Sequence, residues 1–254
     1  MENKEKYRLI EEAISRFKSG KMLIVVDDED RENEGDFIIS ADKATHEDIN
    51  FMMKNGRGLI CTSITSTKAK SLELSPMVEN NTESMRTNFT VSVDAKDSIT
   101  TGISAKDRWQ TLQVLLDDKS TPNDLVRPGH MFPLIAKDGG VLQRAGHTEA
   151  CIDLCRLAGH LPMALLVEIV DEDGTMARMD KLKEIAKKHD LLIISIADLI
   201  EYRRSKEKLV DEIVDIPLPT KFGEFKMRLF EDRINKDHHI ALIKGDIDSD
   251  SDVL

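Results

Sequence analysis

Acidic side chains crowd one short segment near the start of the chain. The segment "VVDDEDRENEGDFII", residues 25–39, places its acidic residues between two apolar runs, at Asp27, Asp28, Glu29, Asp30, Glu32, Glu34 and Asp36. Carboxylates at this density repel one another and cost stability unless a cation or a reaction uses them. The segment is therefore either a solvated acidic turn or a site for a metal ion or cationic chemistry.

The stretch "TTGISAKDRWQT", residues 100–111, puts hydroxyl groups and a glycine just before a predicted helix. Free backbone amides at a helix start, together with the hydroxyls of Thr100, Thr101 and Ser104, suit a phosphate. Ser104 followed three residues later by Asp107 is equally typical of an ordinary helix cap. Both interpretations remain open from the residues alone.

The longer stretch "RPGHMFPLIAKDGGVLQRAGHTEACIDL" carries two histidines, His130 after a Pro-Gly turn and His147 at the start of a predicted helix. Arg144 offers a bidentate anion donor, and Gly146 permits close approach of the backbone. The helix start adds amides and the positive end of the helix dipole. The sequence thus offers a phosphate cradle, and the alternative is that Thr148 is merely an N-cap and the histidines lie on the surface.

Glu168 lies within the apolar run "LLVEIVD". A buried glutamate is expensive to desolvate, and a pKa raised by burial would suit a general acid or base. The alternative places Glu168 on the solvent face of an edge strand.

Composition limits the class of protein. The chain has 254 residues, 40% of them hydrophobic, and 47 acidic against 36 basic residues give a net charge of -11. Such a surface is poorly suited to nucleic acid. No run has the length of a membrane span, and the amino-terminal helix lacks the apolar centre of a signal peptide. We expect a globular cytoplasmic protein that binds neither nucleic acid nor membrane.

The cysteines argue against a disulfide framework, because there are only 3 of them, Cys61, Cys151 and Cys155. Cys151 and Cys155 lie one helical turn apart but have no second Cys or His pair at zinc-site spacing. We expect reduced, buried thiols.

Helical and strand-like patterns alternate along most of the chain. A first helix stops at Gly20, and a second runs from an N-cap at Thr45 to Gly56. Further helices are predicted at residues 105–118, 148–158, 179–189 and 196–208, interleaved with apolar strands that include "MLIVVD", "FIISA", "LICTSI", "FTVSVD", "HMFPLIA", "ALLVEIVD" and "LLIISIA". These patterns predict helices packed on a mostly buried sheet of mixed direction.

The character of the chain changes near residues 205–215. The remaining segment begins with two prolines close together, continues with two strand-like runs and closes on an acidic end. It looks too short to bury a core by itself. We therefore expect a main domain at residues 1–208 and a short carboxy-terminal tail at residues 209–254.

Taken in order, the motifs "DDEDRENEGDFI", "TTGISAKDR", "RPGHMFPL", "RAGHTEA" and "LLVEIVDEDGTMAR" resemble 3,4-dihydroxy-2-butanone 4-phosphate synthase, an enzyme of riboflavin biosynthesis. The resemblance covers about residues 5–205. It implies an α+β fold with three α/β/α layers around a mixed twisted sheet. It also implies a homodimer with active sites at the interface, and conversion of ribulose 5-phosphate to L-3,4-dihydroxy-2-butanone 4-phosphate and formate.

The resemblance also implies roles for individual residues. Glu32 and His147 would bind Mg²⁺, with Mn²⁺ as a possible substitute, and His147 would be an unusual ligand for a cation that prefers oxygen. Catalytic positions would be His130, Glu168 and Glu34, and Cys61 matches a family cysteine near the site. Substrate-binding positions would be Arg31, Glu32, Asp36, Thr101, Arg144, Ala145, Gly146, His147, Thr148 and Glu168.

The tail "IPLPTKFGEFKMRLFEDRINKDHHIALIKGDI" is similar to the opening of GTP cyclohydrolase II. That family's zinc site needs three cysteines downstream, whereas every cysteine of this chain lies before residue 156. We expect GTP cyclohydrolase II activity to be absent, and either a truncated or a degenerate second domain would account for the tail.

Overall fold

The computed structural model describes residues 2–245. The chain divides into two compact units, Met1–Tyr202 and Arg203–Leu254. The acidic end of the tail, residues 246–254, lies outside the described residues.

The first unit is built on a seven-stranded sheet of order β4-β5-β3-β6-β2-β1-β7. Its strands are β1 Leu23–Val26, β2 Gly35–Ser40, β3 Cys61–Ile64, β4 Val93–Ala95, β5 Leu125–Ile135, β6 Ala164–Glu168 and β7 Leu192–Ser195. The β1–β7 and β3–β5 pairs are parallel, and the other pairs are antiparallel. This confirms the sheet of mixed direction.

Helices cover both faces of this sheet. They are α1 Glu2–Lys18, α2 His46–Asn55, α3 Ser66–Ser71, α4 Ala105–Leu116, α5 His147–Ala158, α6 Met179–His189 and α7 Ile196–Lys206, with short 3₁₀ turns at Pro122–Asp124 and Gly140–Leu142. One apolar cluster joins the sheet to α2, α3, α4 and α6, and a second joins it to α1, α5 and α7. The three-layer α/β/α arrangement is confirmed.

Strand β1 shows how the sequence dictates these layers. Ile24 and Val26 belong to one cluster, whereas Leu23 and Val25 belong to the other. Successive side chains of a strand point to opposite faces, so a strand covered on both faces must be apolar throughout. All four residues of β1 are buried.

Several local signals are confirmed. Thr45 caps α2 through a complete capping box with Asp48, and the Ser104 hydroxyl accepts a hydrogen bond from the backbone N–H of Asp107 at the start of α4. The three cysteines are reduced and buried. Among residues 2–245, no helix combines the length and apolar character needed to cross a bilayer.

Two predicted elements differ from the structure. His130 does not open a strand after a Pro-Gly turn, because Pro128 and Gly129 lie inside the long strand β5. The run "FTVSVD" forms only the short strand β4, whose pairing with β5 shifts in register between Val93 and Asp94. A register shift of this kind leaves part of an apolar run outside the ladder.

The second unit contains a three-stranded antiparallel sheet of order β10-β9-β8, with β8 Val210–Thr220, β9 Gly223–Asp232 and β10 His238–Ile243. The sequence predicted only two strands in this tail, and this prediction was wrong. The third strand, β8, contains Pro217 and Pro219, which are unusual in a strand. Proline cannot donate to a ladder, but β8 is an edge strand, where that loss is tolerated.

Candidate active site

A cavity of about 200 Å³ lies where β2 begins, β6 ends and α5 begins. It brings together most of the residues singled out from the sequence: Arg31, Glu32, Glu34, Asp36, Cys61, Arg144, His147, Thr148 and Glu168 line it. Glu83, Thr87, Phe89, Leu134 and Leu166 complete the wall. Motifs far apart in the sequence therefore meet in one pocket.

The acidic loop between β1 and β2 is organised around Asp27. One carboxylate oxygen of Asp27 accepts the backbone N–H of Glu34 at 2.8 Å, and the other accepts the N–H of Glu32 at 3.1 Å and the Arg31 guanidinium at 2.7 Å. The side chain of Asp27 is 1% exposed. The Asp27 carboxylate therefore stabilises the conformation of the loop through hydrogen bonds within the loop.

The loop divides into two halves of different character. Asp28, Glu29 and Asp30 are exposed to solvent, whereas Glu32, Glu34 and Asp36 lie in the cavity wall. The outer half is therefore solvated, as one interpretation predicted, whereas the inner half lines the cavity. Arg178 supports the inner half by donating to the backbone carbonyls of Glu32, at 3.1 Å, and Asn33.

His147 has a defined orientation at the first residue of α5. Its Nε2 lies 3.1 Å from the carbonyl oxygen of Val25, and its Nδ1 lies 3.8 Å from a carboxylate oxygen of Glu32. A carbonyl oxygen can only accept, so Nε2 must carry the hydrogen of that bond. Nδ1 is then the nitrogen that faces Glu32.

Charges around His147 shift the pKa values of this cluster. Burial lowers the pKa of His147, but the carboxylates of Asp36, Glu32 and Asp27 outweigh it and raise the value to about 9. The neighbouring His147 lowers the pKa of Glu32 to about 2, against the opposing effect of burial and with help from Arg31. The cluster therefore favours positive charge at the position of His147.

Asp36 lies at a position of the site where a charged carboxylate is costly. It is 4% exposed, and its Oδ1 has no hydrogen-bond partner. Burial, followed by the nearby carboxylates and opposed by His147, raises the pKa of Asp36 to about 7. Burial also raises the pKa of Glu34, with repulsion from Glu32 and Glu168 adding to the effect. A buried oxygen without a donor is expensive unless a ligand satisfies it.

Asp27, Glu32 and His147 each place one possible ligand atom within 4.8 Å of the others. Asp27 already accepts three hydrogen bonds within its own loop. Glu32 and His147 are thus the better placed pair to hold a cation, and the donor-less Asp36 oxygen nearby fits a bound cation or substrate hydroxyl. A cation would displace the proton that the acidic surroundings favour on His147.

Arg144 gives the cavity a group that suits an anion. Arg144 is held by Glu149 at 2.6 Å and by the carbonyl oxygen of Met85 and the hydroxyl of Thr87. A β-carbon at Gly146 would lie 2.2 Å from the Arg144 guanidinium, so only glycine allows this close approach.

The N-cap of α5 is Gly146, which has no side chain to cap with, and Thr148 is the second residue of the helix. The alternative that Thr148 is an N-cap is therefore wrong. The first N–H groups of a helix have no partner within it, and those of α5 begin beside the cavity. Ala145 and Gly146 do not line the cavity with side chains, but their backbone leads into this helix start.

Glu168 ends strand β6, which lies between β3 and β2, so the edge-strand alternative is wrong. Its residue partner across the antiparallel ladder is Asp36, and its side chain lines the cavity. Cys61, on β3, lines the same cavity, and burial raises the pKa of its thiol well above the usual value. Cys61 is therefore a neutral thiol in this wall.

His130 and Thr101 do not line this cavity. His130 lies on β5, where Asp94 accepts from its backbone N–H at 2.8 Å and lies 2.7 Å from its Nδ1. A β-carbon at Gly102 would meet both Asp94 and His130, so the loop after Thr101 packs against this pair. The side chain of His130 is 42% exposed. The predicted site residues thus form two groups within one chain.

Three residues near the two groups were not identified from the sequence: Asp94, Glu83 and Thr87. Asp94 was assigned to an apolar strand, and residues 83–87 follow no periodic pattern. Glu83 accepts the backbone N–H groups of Met85 and Thr87, which lower its pKa and fold this loop against Arg144. The segment "NNTES" could have indicated this loop. Asn and Glu residues outside a periodic pattern are typical of side chains that form hydrogen bonds with the backbone.

We predict that Asp27→Asn destabilises the protein, because an amide nitrogen cannot accept the hydrogen bonds that one Asp27 oxygen receives. The expected loss is about 1–3 kcal/mol of unfolding free energy in chelator-treated buffer, measured by urea denaturation. The matched control is Asp28→Asn, an exposed position of the same loop, which should leave stability nearly unchanged. An increase in stability for Asp27→Asn would show instead that charge repulsion dominates the loop.

Comparison with known proteins agrees with this geometry. The sequence model of the 3,4-dihydroxy-2-butanone 4-phosphate synthase family matches residues 11–202, and that of GTP cyclohydrolase II matches residues 211–254. Riboflavin biosynthesis protein RibBA of Parabacteroides distasonis is 54% identical over 246 residues, which are 96% of this chain and 61% of that protein. Its counterpart in Bacillus subtilis is 55% identical over 238 residues, 94% of this chain and 60% of that protein. The chain thus spans about three fifths of the length of these relatives.

Solved structures share the fold. A two-domain 3,4-dihydroxy-2-butanone 4-phosphate synthase from A. baumannii superposes with a TM-score of 0.85 at 45% identity, covering 93% of this chain and 70% of that chain. A 3,4-dihydroxy-2-butanone 4-phosphate synthase in complex with two magnesium ions superposes with a TM-score of 0.75 at 41% identity, covering 78% of this chain and 97% of that chain. Family match, sequence identity and superposition agree, and the chain belongs to the 3,4-dihydroxy-2-butanone 4-phosphate synthase family.

Proposed function

We propose that residues 1–208 form a lyase domain that converts D-ribulose 5-phosphate to L-3,4-dihydroxy-2-butanone 4-phosphate and formate in riboflavin biosynthesis. The observation that carries the proposal is a single cavity that brings the acidic cluster around His147 together with the guanidinium group of Arg144. A sugar phosphate needs both, since its hydroxyls and its phosphate differ in charge. Family membership supplies the reaction.

Glu32 and His147 are the proposed metal ligands, with Mg²⁺ as the cation and Mn²⁺ as a substitute. The support is the convergence of their ligand atoms, together with a relative solved with two magnesium ions. When bound, the cation would stabilise negative charge that develops on substrate oxygens. The hydrogen bond from Nε2 of His147 to Val25 holds the ring so that Nδ1 points into the site.

Arg144 and the start of α5, with Thr148, are the proposed phosphate site. The guanidinium is fixed by Glu149, Met85 and Thr87, so little side-chain entropy is lost when an anion binds. The start of α5 lies beside the same cavity, because His147 and Thr148 line it, and the free amides of a helix start suit a phosphate. Arg31, which already pairs with Asp27 and Glu32, shapes the sugar end of the cavity.

The carboxylates of Glu34, Asp36 and Glu168 are the proposed proton carriers. The reaction must remove a proton beside the carbonyl group, release water, rearrange the carbon skeleton and expel the fourth carbon as formate. Protons therefore move at several carbons in turn. Burial raises the pKa of Asp36 to about 7, so this group can hold or release a proton near neutral pH, and burial also raises the pKa of Glu34.

The separate position of His130 supports the proposed homodimer with active sites at the interface. His130 and Thr101 cannot act from the cavity of their own chain, since they do not line it. A second copy would supply them if its β5 surface met this cavity. Asp94 would orient His130 in that arrangement, leaving Nε2 available for proton transfer.

Residues 209–254 are proposed to be an incomplete GTP cyclohydrolase II segment without that activity on its own. Residues 209–254 contain no cysteine, so this segment by itself offers no thiolate for that family's zinc site. A cytoplasmic location is proposed on the basis of the three unpaired thiols of the chain.

The deciding experiment is incubation with ribulose 5-phosphate and Mg²⁺ while formate is measured. Formate should appear, should stop after exhaustive chelation and should return with Mg²⁺. Folded protein that releases no formate would favour the alternative, a sugar-phosphate-binding protein that retains the fold. Turnover that survives chelation would contradict the metal assignment alone.

We predict opposite effects of Glu34→Gln on stability and activity. The pKa of Glu34 is raised by burial, so its charge opposes folding once the pH exceeds the pKa of the unfolded chain. The variant should melt at the same temperature or higher in metal-free buffer at pH 8, and this gain should vanish at low pH. Its kcat should fall at least tenfold, about 1.4 kcal/mol.

The matched control for Glu34→Gln is Glu29→Gln in the exposed half of the loop. It removes one charge from the same segment but should change neither melting nor formate release. Equal turnover in the two variants would contradict a catalytic role for the inner half of the loop.

Subunit complementation tests the interface. His130→Ala and Glu168→Gln should each be nearly inactive, but a mixture allowed to exchange subunits should regain about one quarter of wild-type activity, since half of the dimers carry one intact site. A mixture of Glu34→Gln and Glu168→Gln should regain nothing, because both residues line the same cavity. Recovery in the second mixture, or none in the first, would contradict a shared site.

A further inference from the structure

The turn before β3 is bonded to the end of β6 by several hydrogen bonds. The backbone N–H of Leu59 donates to Oε2 of Glu168 at 2.8 Å, and the N–H of Gly58 donates to the Glu168 carbonyl at 3.2 Å. The N–H of Val170 donates to the Gly56 carbonyl at 2.8 Å. One of these bonds reaches the carboxylate that lines the cavity.

We propose that Gly58 and Leu59 of this turn position the Glu168 carboxylate for the reaction, with Gly58 as the positioning residue. The inference rests on the proposed function, in which Glu168 acts on the substrate. A backbone N–H can only donate, so Oε2 is held as an acceptor, and this bond restricts the rotation of the carboxylate. Pre-orientation of this kind matters because small displacements of a reacting group slow catalysis strongly.

Glycine is required at position 58 because a side chain would not fit there, and not because of the backbone conformation. Its φ is not positive, so an alanine would not be strained by its dihedral angles. A β-carbon there would lie 2.5 Å from Oε2, 2.6 Å from the carbonyl oxygen and 2.9 Å from the β-carbon of Glu168. The added methyl group would therefore displace the carboxylate or the strand that carries it.

Arg57 holds the turn in its unusual path. It has a φ of 68°, a left-handed conformation that is uncommon for a residue with a side chain. Its guanidinium donates to the Val170 carbonyl at 2.7 Å, and its backbone forms a bridge with Ile169. These contacts, all to residues just after Glu168, fix the turn against β6 and maintain the unfavourable φ.

Gly56 provides a matched control within the same turn. A β-carbon at Gly56 would lie 2.7 Å from a methyl group of Val167 and 2.8 Å from the Met52 carbonyl, and none of its three nearest atoms belongs to Glu168. Gly56→Ala and Gly58→Ala thus impose similar crowding on neighbouring positions. Only the second crowds the carboxylate.

The first test follows the Leu59 amide by ¹H–¹⁵N NMR on the full chain. Its proton should resonate downfield in the wild type and move upfield in both Glu168→Gln and Gly58→Ala, with a much smaller change in Gly56→Ala. This result does not depend on any activity. An unchanged Leu59 resonance in Glu168→Gln would overturn the proposal even if Gly58→Ala failed to fold.

The second test separates positioning from general damage. Gly58→Ala should lower kcat for formate release at least tenfold while changing KM little, and Gly56→Ala should lose stability but keep a kcat close to wild type. The double variant Gly58→Ala with Glu168→Asp should be no slower than Glu168→Asp alone, since both changes act through one carboxylate.

Equal kcat losses in the two glycine variants, or multiplicative losses in the double variant, would overturn the positioning role. If the wild type releases no formate, the proposed function fails, whereas the Leu59 resonance still shows whether the turn holds the carboxylate.

Discussion

Burial of the Asp36 carboxylate is the constraint on which the site depends. Its Oδ1 has no donor, and three further carboxylates lie near enough to raise its pKa. The cost of holding these groups together is offset mainly by His147, which the same charges keep cationic. The protein thus maintains a buried cluster of carboxylates with an unsatisfied oxygen that a cation or a hydroxyl-rich ligand can satisfy.

Regular secondary structure fixes the positions of the residues around Asp36. Antiparallel pairing of β2 with β6 sets Asp36 opposite Glu168, and α5 begins with His147 directly beside them. Asp27 gives the loop an internal acceptor, so its geometry does not depend on the ligand. Chemistry resides in loops and element ends, while both faces of the sheet are covered by helices.

Much of this organisation is predictable from sequence, because periodicity and caps are local properties. The helix boundaries at Thr45 and Ser104 follow from side chains that bond the backbone a few residues away. The two-group arrangement of the site is not predictable in this way. Whether His130 and His147 share a cavity depends on which strands become neighbours, and β5 is separated from β6 by β3.

The division of the acidic loop was also beyond local patterns. Asp27 and Asp28 are adjacent and identical in type, yet the first is almost fully buried and the second is exposed. The difference arises from the direction in which the chain leaves β1. Likewise, β8 was not predicted because it contains two prolines. Proline is tolerated in an edge strand, and the sequence alone does not show that β8 lies at an edge.

The pairing of Asp36 with Glu168 has a consequence for the order of folding. The two residues lie on strands β2 and β6, which are adjacent in the sheet but distant in the chain. During synthesis, β1 and β2 can form their hairpin early, while β6 has not yet been made. The carboxylates of the inner loop then remain hydrated until β6 inserts between β2 and β3. The most costly electrostatic step of folding is therefore postponed until most of the apolar core is present to drive it.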